Sequence, residues 1–160
     1  MPLLPLKKIL FPTDFSEPSR EALKSAVEMA EHFAAELCIL HVIAPIPVAD
    51  PSIMGSAVGA LDRFDIDSYQ LDLLEHLKKV LHEMVEQNVP SGLATKSIVE
   101  MGSAAKVITD IVASEKIDLI VMATHGLTGI SHLFLGSVAE KVVRRSPVPV
   151  LTIRQPAKDN

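Results

Sequence analysis

Short apolar runs alternate along the chain with longer amphipathic segments. The runs are rich in β-branched residues, and the longer segments carry apolar residues at helical spacing. This alternation is typical of successive βα units that build a parallel sheet. The pattern predicts five strands, which are Lys8 to Thr13, Glu36 to Ile43, Thr95 to Glu100, Leu119 to Ala123 and Val148 to Ile153.

The segments between these strands predict four helices. The first begins near Glu17, with Ser16 as its cap and Pro18 in its first turn, where proline is tolerated. The second ends near Asn88, because Pro90 cannot continue it. The third follows Gly102 and Ser103, and the fourth covers about 137–145.

The strand at Leu119 to Ala123 is apolar throughout rather than alternating. Continuous hydrophobicity is typical of a central parallel strand that is covered on both faces. We therefore predict a three-layer α/β/α fold with a doubly wound five-stranded parallel sheet. The chain is predicted to form one domain over 1–160, with a core from about 8 to 154. The long connection 44–65 is interpreted as a lid, or as a disordered segment without a role.

The composition of the chain argues against several classes of protein. The chain has 160 residues, a formal net charge of −5 and a single cysteine, Cys38, so an intrachain disulfide is excluded. Basic residues are dispersed among acidic ones, and nucleic acid is not an expected partner. No segment approaches the roughly 20 apolar residues that span a bilayer, so we expect no membrane association and a cytoplasmic location.

Candidate chemistry follows the carboxyl ends of the strands, where ligands bind in a doubly wound sheet. Glycines after the fourth strand would let backbone amides approach an anion, and the next helix would add its N-terminal dipole. Taken alone, this signal is weak, because glycines in such loops more often serve only the turn. The candidates are Thr13, Asp14 and Phe15 after strand one, Val42 and Ile43 after strand two, Gly102 after strand three, and Thr124 to Gly136 after strand four, with Ser137 at the start of the next helix.

Two stretches carry a family resemblance. The run Met122 to Gly126, then nine residues and Gly136-Ser137, resembles the C-terminal signature of the universal stress protein family. Nucleotide-binding members of that family carry Gly, two residues, Gly, nine residues, Gly, and Ser or Thr. This chain matches the spacing and three of the four positions. The opening Ile9 to Ser16 is also similar, and the resemblance runs from about Lys8 to Arg154.

This resemblance implies a sheet ordered 3-2-1-4-5 and a cleft between strands one and four that binds ATP or AMP, with magnesium as counter-ion. It implies a stress-response regulatory protein that forms a homodimer through the edge strand 148–153 and signals through protein partners. Asp14 would contact the ribose, and Val42 would offer backbone groups to adenine. The implied binding residues are Pro12, Thr13, Asp14, Val42, Gly102, Ala123, Thr124, His125, Gly126, Gly129, Gly136, Ser137 and Val138.

Some positions depart from the family pattern. Ala123 replaces the first glycine, and Leu127 and His132 stand where the family often has a cation. We therefore expect a weak hold on the γ-phosphate. No second activating group accompanies His125, which predicts little or no hydrolysis. Two alternatives stay open at this stage: a nucleotide-independent dimeric interaction module, and a purely helix-capping role for Asp14. An adenylating enzyme is disfavoured, because its motifs are missing after strand one.

Overall fold

The computed structural model describes residues 5–45, 66–125 and 135–154. Strands and helices alternate along these residues as the pattern predicts. The elements are β1 (Lys8–Thr13), α1 (Glu17–Phe33), β2 (Glu36–Ile43), α2 (Ile66–Asn88), β3 (Thr95–Met101), α3 (Ala104–Glu115), β4 (Leu119–Ala123), α4 (Ser137–Arg145) and β5 (Val150–Ile153).

The five strands form one parallel sheet in the order β3-β2-β1-β4-β5. Strand β1 lies at its centre, where Leu10 pairs with Cys38 of β2 and with Ile120 of β4. The predicted fold class and strand order are therefore confirmed. Because the chain winds in one direction from β1 to β3 and in the other from β4 to β5, the winding reverses between β1 and β4.

Helices cover both faces of the sheet. On one face, α1 and α2 pack against Ile9, Phe11 and Ile39. On the other face, α3 and α4 pack against Leu10, Leu40 and other strand residues. The two sets of strand residues alternate along β1 and β2, as the pleat requires. Burial on both faces explains why β4 reads as an uninterrupted apolar run.

Helix α1 begins as its sequence predicts. The backbone amide of Ser19 donates to Oγ of the cap residue Ser16 at 3.3 Å, and proline occupies the first turn. The helix ends at Phe33, and the cap residue Ala34 has a left-handed backbone and an amide that donates to the carbonyls of Ala30 and Glu31. This placement matters for the site, because α1 starts directly after β1.

The predicted start of β5 is wrong by two residues, since the strand begins at Val150 rather than Val148. The Ser146 hydroxyl donates to the Val148 carbonyl at 2.7 Å and accepts from the Val148 amide at 3.1 Å, which closes a local turn. Pro149 has no amide hydrogen for a sheet ladder. Most of the predicted lid, 46–65, lies outside the described residues. Among the helices that the structure describes, none is long and apolar enough to cross a membrane.

Candidate functional site

A cleft of about 280 Å³ opens at the carboxyl ends of β1 and β4, where the winding of the sheet reverses. Its walls come from these strands, from β2 and from the first turns of α1, α3 and α4. We call it the β1–β4 cleft. The residues that line it are Pro12, Thr13, Asp14, Ser19, Leu40, Val42, Ala104, Ile108, Met122, Ala123, Thr124, His125, Gly136, Ser137, Val138 and Ala139.

The structure brings most of the sequence-predicted site residues together around this cleft. Those that line it are Pro12, Thr13, Asp14, Val42, Ala123, Thr124, His125, Gly136, Ser137 and Val138. Gly126 and Gly129 lie outside the described residues. Gly102 is described, but it is not among the residues that form the cleft walls.

The backbone conformation and the close packing at position 102 both require glycine. Its φ is +149°, a conformation that side chains disfavour, and an added Cβ would lie 2.8 Å from Cγ2 of Val107. Its amide donates to the Ile43 carbonyl at 2.9 Å, which continues the β2–β3 ladder into the turn before α3. These constraints account for a glycine at this position without a ligand.

Several lining residues were missed from the sequence, namely Ser19, Leu40, Ala104, Ile108, Met122 and Ala139. Leu40 could have been found, because it lies two residues before Val42 and shares its face of β2. Ile108 and Ala139 belong to amphipathic faces whose partner is known only once the helices are packed. No sequence feature marked Ser19 as a cleft residue, because its pattern showed only that it lies in a helix.

The turn after β1 is held by its own polar side chains. Oδ1 of Asp14 accepts from the amide of Ser16 at 3.0 Å and also from the Ser16 hydroxyl. Phe15 lies between them with a φ of 63°, in the left-handed region. Asp14 therefore does brace the helix cap, and it also lies on the wall of the cleft.

Thr13 is buried beneath this turn. Its Oγ1 accepts from the Phe15 amide at 3.1 Å and from the Ser19 hydroxyl at 2.8 Å. Its carbonyl lies 2.9 Å from Nδ1 of His41, which must carry the hydrogen because a carbonyl only accepts. The His41 ring packs against Phe15 in a tilted contact, with a centroid distance of 4.3 Å. The β1 wall is thus a fixed polar surface.

The opposite wall joins β4 to α4. The amide of Gly136, the cap residue of α4, donates to the Thr124 carbonyl at 2.7 Å. A Cβ on Gly136 would lie 3.0 Å from that carbonyl oxygen, so glycine permits this close approach. Ser137 and Val138 follow in the first turn, where backbone amides have no intrahelical acceptor. This end of the cleft has the electrostatics that favour an anion.

His125 lies on this wall. Its Nδ1 is 2.9 Å from Oγ1 of Thr124. Its Nε2 is buried and has no hydrogen-bond partner among the described residues. Residues 5–45, 66–125 and 135–154 contain no group of three histidine, cysteine or acidic side chains that could hold a metal ion. The cleft therefore offers an unpaired imidazole nitrogen and a helix N-terminus, an arrangement that suits binding of a small anionic ligand.

Comparison with known proteins gives a consistent result. The model of the universal stress protein family matches residues 5–154. Universal stress protein MJ0531 of Methanocaldococcus jannaschii is 36% identical over 155 residues, with 96% of this chain and 85% of the relative covered. MJ0577 of the same organism is 31% identical over 155 residues, with 93% and 95% covered.

Solved structures share the fold. The structure of MJ0577 has a TM-score of 0.72 and 29% identity, covering 96% of this chain and 99% of its own. A universal stress protein in complex with cAMP has a TM-score of 0.62 at 21% identity, covering 93% and 97%. An Arabidopsis thaliana member with AMP bound has a TM-score of 0.53 at 20% identity, covering 94% and 93%. The match of family model, curated relatives and fold over nearly the whole described chain means that this protein belongs to the universal stress protein family.

Proposed function

We propose that this chain binds an adenine nucleotide in the β1–β4 cleft and acts as a regulatory protein, with little or no hydrolysis. The observation that carries the proposal is the pairing, in one cleft, of an apolar wall with the N-terminus of α4. A nucleotide has the same two-part chemistry, with a flat apolar base and an anionic phosphate.

The apolar wall suits the base. Leu40, Ile108 and Met122 line it, and each is at least nine-tenths buried. Val42 lies at the end of β2, where its backbone could address the edge of adenine. Asp14, on the β1 side, offers a carboxylate that accepts hydrogen bonds from ribose hydroxyls. Apolar walls with a few placed polar groups are the usual composition of small-molecule sites.

The polar end suits a phosphate. Gly136, Ser137 and Val138 place the start of α4 on the cleft wall, where amides and the helix dipole favour negative charge. The described lining contains no lysine or arginine. Donors alone neutralise a triphosphate poorly, so we propose AMP as the preferred ligand and ATP, with its magnesium counter-ion, as a weaker one.

Two structures of the same fold support the choice of ligand class. One was solved with cAMP and the other with AMP bound. Each ligand carries adenine and a single phosphate group, as the cleft's two ends suggest.

Calorimetric titration tests the proposal. We expect saturable binding of AMP at sub-millimolar to micromolar concentration, weaker binding of ATP with magnesium, and no binding of UMP. A nucleotide that binds only the folded state also raises the melting temperature by mass action. The absence of saturable AMP binding at millimolar concentration would refute the proposal, and steady release of phosphate from ATP would refute its non-enzymatic part.

A second candidate is a dimeric interaction module that needs no nucleotide. Strand β5 lies at the edge of the sheet, Leu151 on it is 37% exposed and Val143 on α4 is 47% exposed. An exposed apolar strand edge is a surface that a second copy can cover. Sedimentation analysis tests this, with Leu151→Lys against Leu71→Lys, a more exposed position on α2. Dimers that are lost only in Leu151→Lys, with or without AMP, would favour this candidate.

A further inference from the structure

The position of His125 is set by the backbone of the residue before it. The Thr124 amide donates to the carbonyl of Ile153 on β5 at 3.0 Å, and the Thr124 carbonyl accepts from Gly136 at 2.7 Å. The Cα of His125 would lie only 3.6 Å from a Cβ on Gly136. His125 is therefore held against the start of α4, on the wall of the cleft.

Its imidazole is satisfied on one side only. Nδ1 lies 2.9 Å from the hydroxyl oxygen of Thr124. Nε2 is buried and finds no partner within residues 5–45, 66–125 and 135–154. Buried polar atoms are paired in the great majority of proteins, because an unpaired one loses its hydration without compensation. An unpaired ring nitrogen in a residue that lines a ligand cleft is explained if the ligand supplies the partner.

The chemistry of the ring indicates which partner. A neutral imidazole carries one N–H, and the Thr124 hydroxyl can either donate to Nδ1 or accept from it. When the hydroxyl donates, Nε2 carries the hydrogen and becomes a donor. The adjacent α4 N-terminus favours an anion in the same part of the cleft. An anionic oxygen there would accept from Nε2–H and select this tautomer.

We infer that His125 is a specificity-determining residue that donates a hydrogen bond from Nε2 to the phosphate of the bound nucleotide. Thr124 is the positioning residue that keeps the hydrogen on Nε2. Together they would make the cleft distinguish a nucleotide from the nucleoside that lacks the phosphate. The inference rests on the proposed function, and it adds the side chain that recognises the phosphate.

Two substitutions separate the ring nitrogens. Asparagine keeps a polar atom near the place of Nδ1 and removes the one at Nε2, whereas glutamine carries an amide out to the place of Nε2. AMP and adenosine are titrated against wild type, His125→Asn and His125→Gln. His82→Asn, at an exposed position on α2, is the control for the same chemical change. We expect His125→Asn to lower the affinity for AMP about tenfold more than the affinity for adenosine. A loss of this size is expected when a hydrogen bond to a charged group is removed. His125→Gln should recover most of that loss.

Nitrogen NMR of the histidine ring gives an independent measurement. With AMP bound, the hydrogen should be found on Nε2 of His125, and Thr124→Val should lower that population. Equal losses for AMP and adenosine in His125→Asn, or a hydrogen on Nδ1 in the AMP complex, would overturn the inference while leaving AMP binding intact. Wild-type protein that binds no AMP would instead overturn the proposed function and this role with it.

Discussion

The amide of Gly136 donates to the carbonyl of Thr124 at 2.7 Å, across a connection that leads from β4 to α4. The contact fixes the start of α4 against the end of β4. It also places the first-turn amides of the helix on the wall of the β1–β4 cleft, beside His125. One backbone hydrogen bond therefore sets both the local packing and the polar end of the candidate site.

Gly136→Ala should weaken both packing and binding. The new Cβ would lie 3.0 Å from the Thr124 carbonyl oxygen, a backbone atom that cannot rotate away. We expect the free energy of unfolding to fall by about 1 kcal/mol or more, as in overpacked sites, and AMP affinity to fall with it. Gly92→Ala is the matched control, because nothing lies within 4 Å of its Cβ. Similar urea midpoints for the two variants would contradict this account.

Gly102→Ala should destabilise the fold without a specific effect on the cleft. Its φ of +149° and the 2.8 Å approach to Val107 both oppose a side chain. We expect a loss of about 1–3 kcal/mol in chemical denaturation. Relief of the contact by Val107→Ala should recover only part of it, since the backbone strain persists. A selective loss of AMP affinity in folded Gly102→Ala would show that Gly102 contacts the ligand after all.

The Asp118 side chain binds the backbone at the start of β1. Its Oδ2 accepts from the amides of Lys7 and Lys8 at 2.8 and 2.9 Å, which bridges the residue before β4 to the neighbouring strand. Asp118→Ala leaves these amides without their acceptor and should cost about 1–3 kcal/mol of unfolding free energy. Asp110→Ala removes only an exposed pair with Lys106 and should cost less than about 1 kcal/mol. Thermal and urea unfolding measure the loss of unfolding free energy in each variant. Equal losses in Asp118→Ala and Asp110→Ala would argue against a stabilising role for the Asp118 bridge.

The buried thiol of Cys38 should make the free energy of unfolding fall at alkaline pH. Burial in β2, with a smaller contribution from Glu36, raises the pKa of its thiol from 9.0 to about 11. The unfolded chain releases this proton first, so the contribution is present below about pH 9 and is lost as the pH rises towards about 11.

Urea denaturation at about pH 8 and about pH 10.5 measures this loss. Cys38→Ala should show a smaller fall in unfolding free energy between the two, because the titrating group is gone. Equal falls in the two proteins would contradict a buried neutral thiol. A thiol reagent at about pH 8 should also react slowly with the folded protein and rapidly in denaturant.

Part of the site was predictable because parallel strands carry their carboxyl ends to one edge. From the sequence, that rule singled out Thr13, Asp14, Val42 and Thr124. The rule treats every strand end alike, so it also selected Gly102. Gly102 follows the edge strand β3 and is not among the residues that line the cleft, and its backbone conformation itself favours glycine.

The residues that the sequence missed reach the cleft through packing. Ser19 lies six residues after Thr13, and it meets the Thr13 hydroxyl only because α1 folds back over β1. Ile108 lines the cleft because α3 crosses the face of the sheet that carries Leu40. Such contacts depend on how helices sit on the sheet, and periodicity within one element holds no information about that.

The sequence by itself determined the alternation of strands and helices, the capping of α1 by Ser16 and the burial of β4 on both faces, because each depends on local periodicity or neighbouring residues. Tertiary structure decided which nitrogen of His125 stays unpaired, how closely Gly136 approaches Thr124 and where β5 begins. These depend on distances between residues that are remote in sequence or on competing hydrogen bonds in a turn, and only the packed chain fixes those distances.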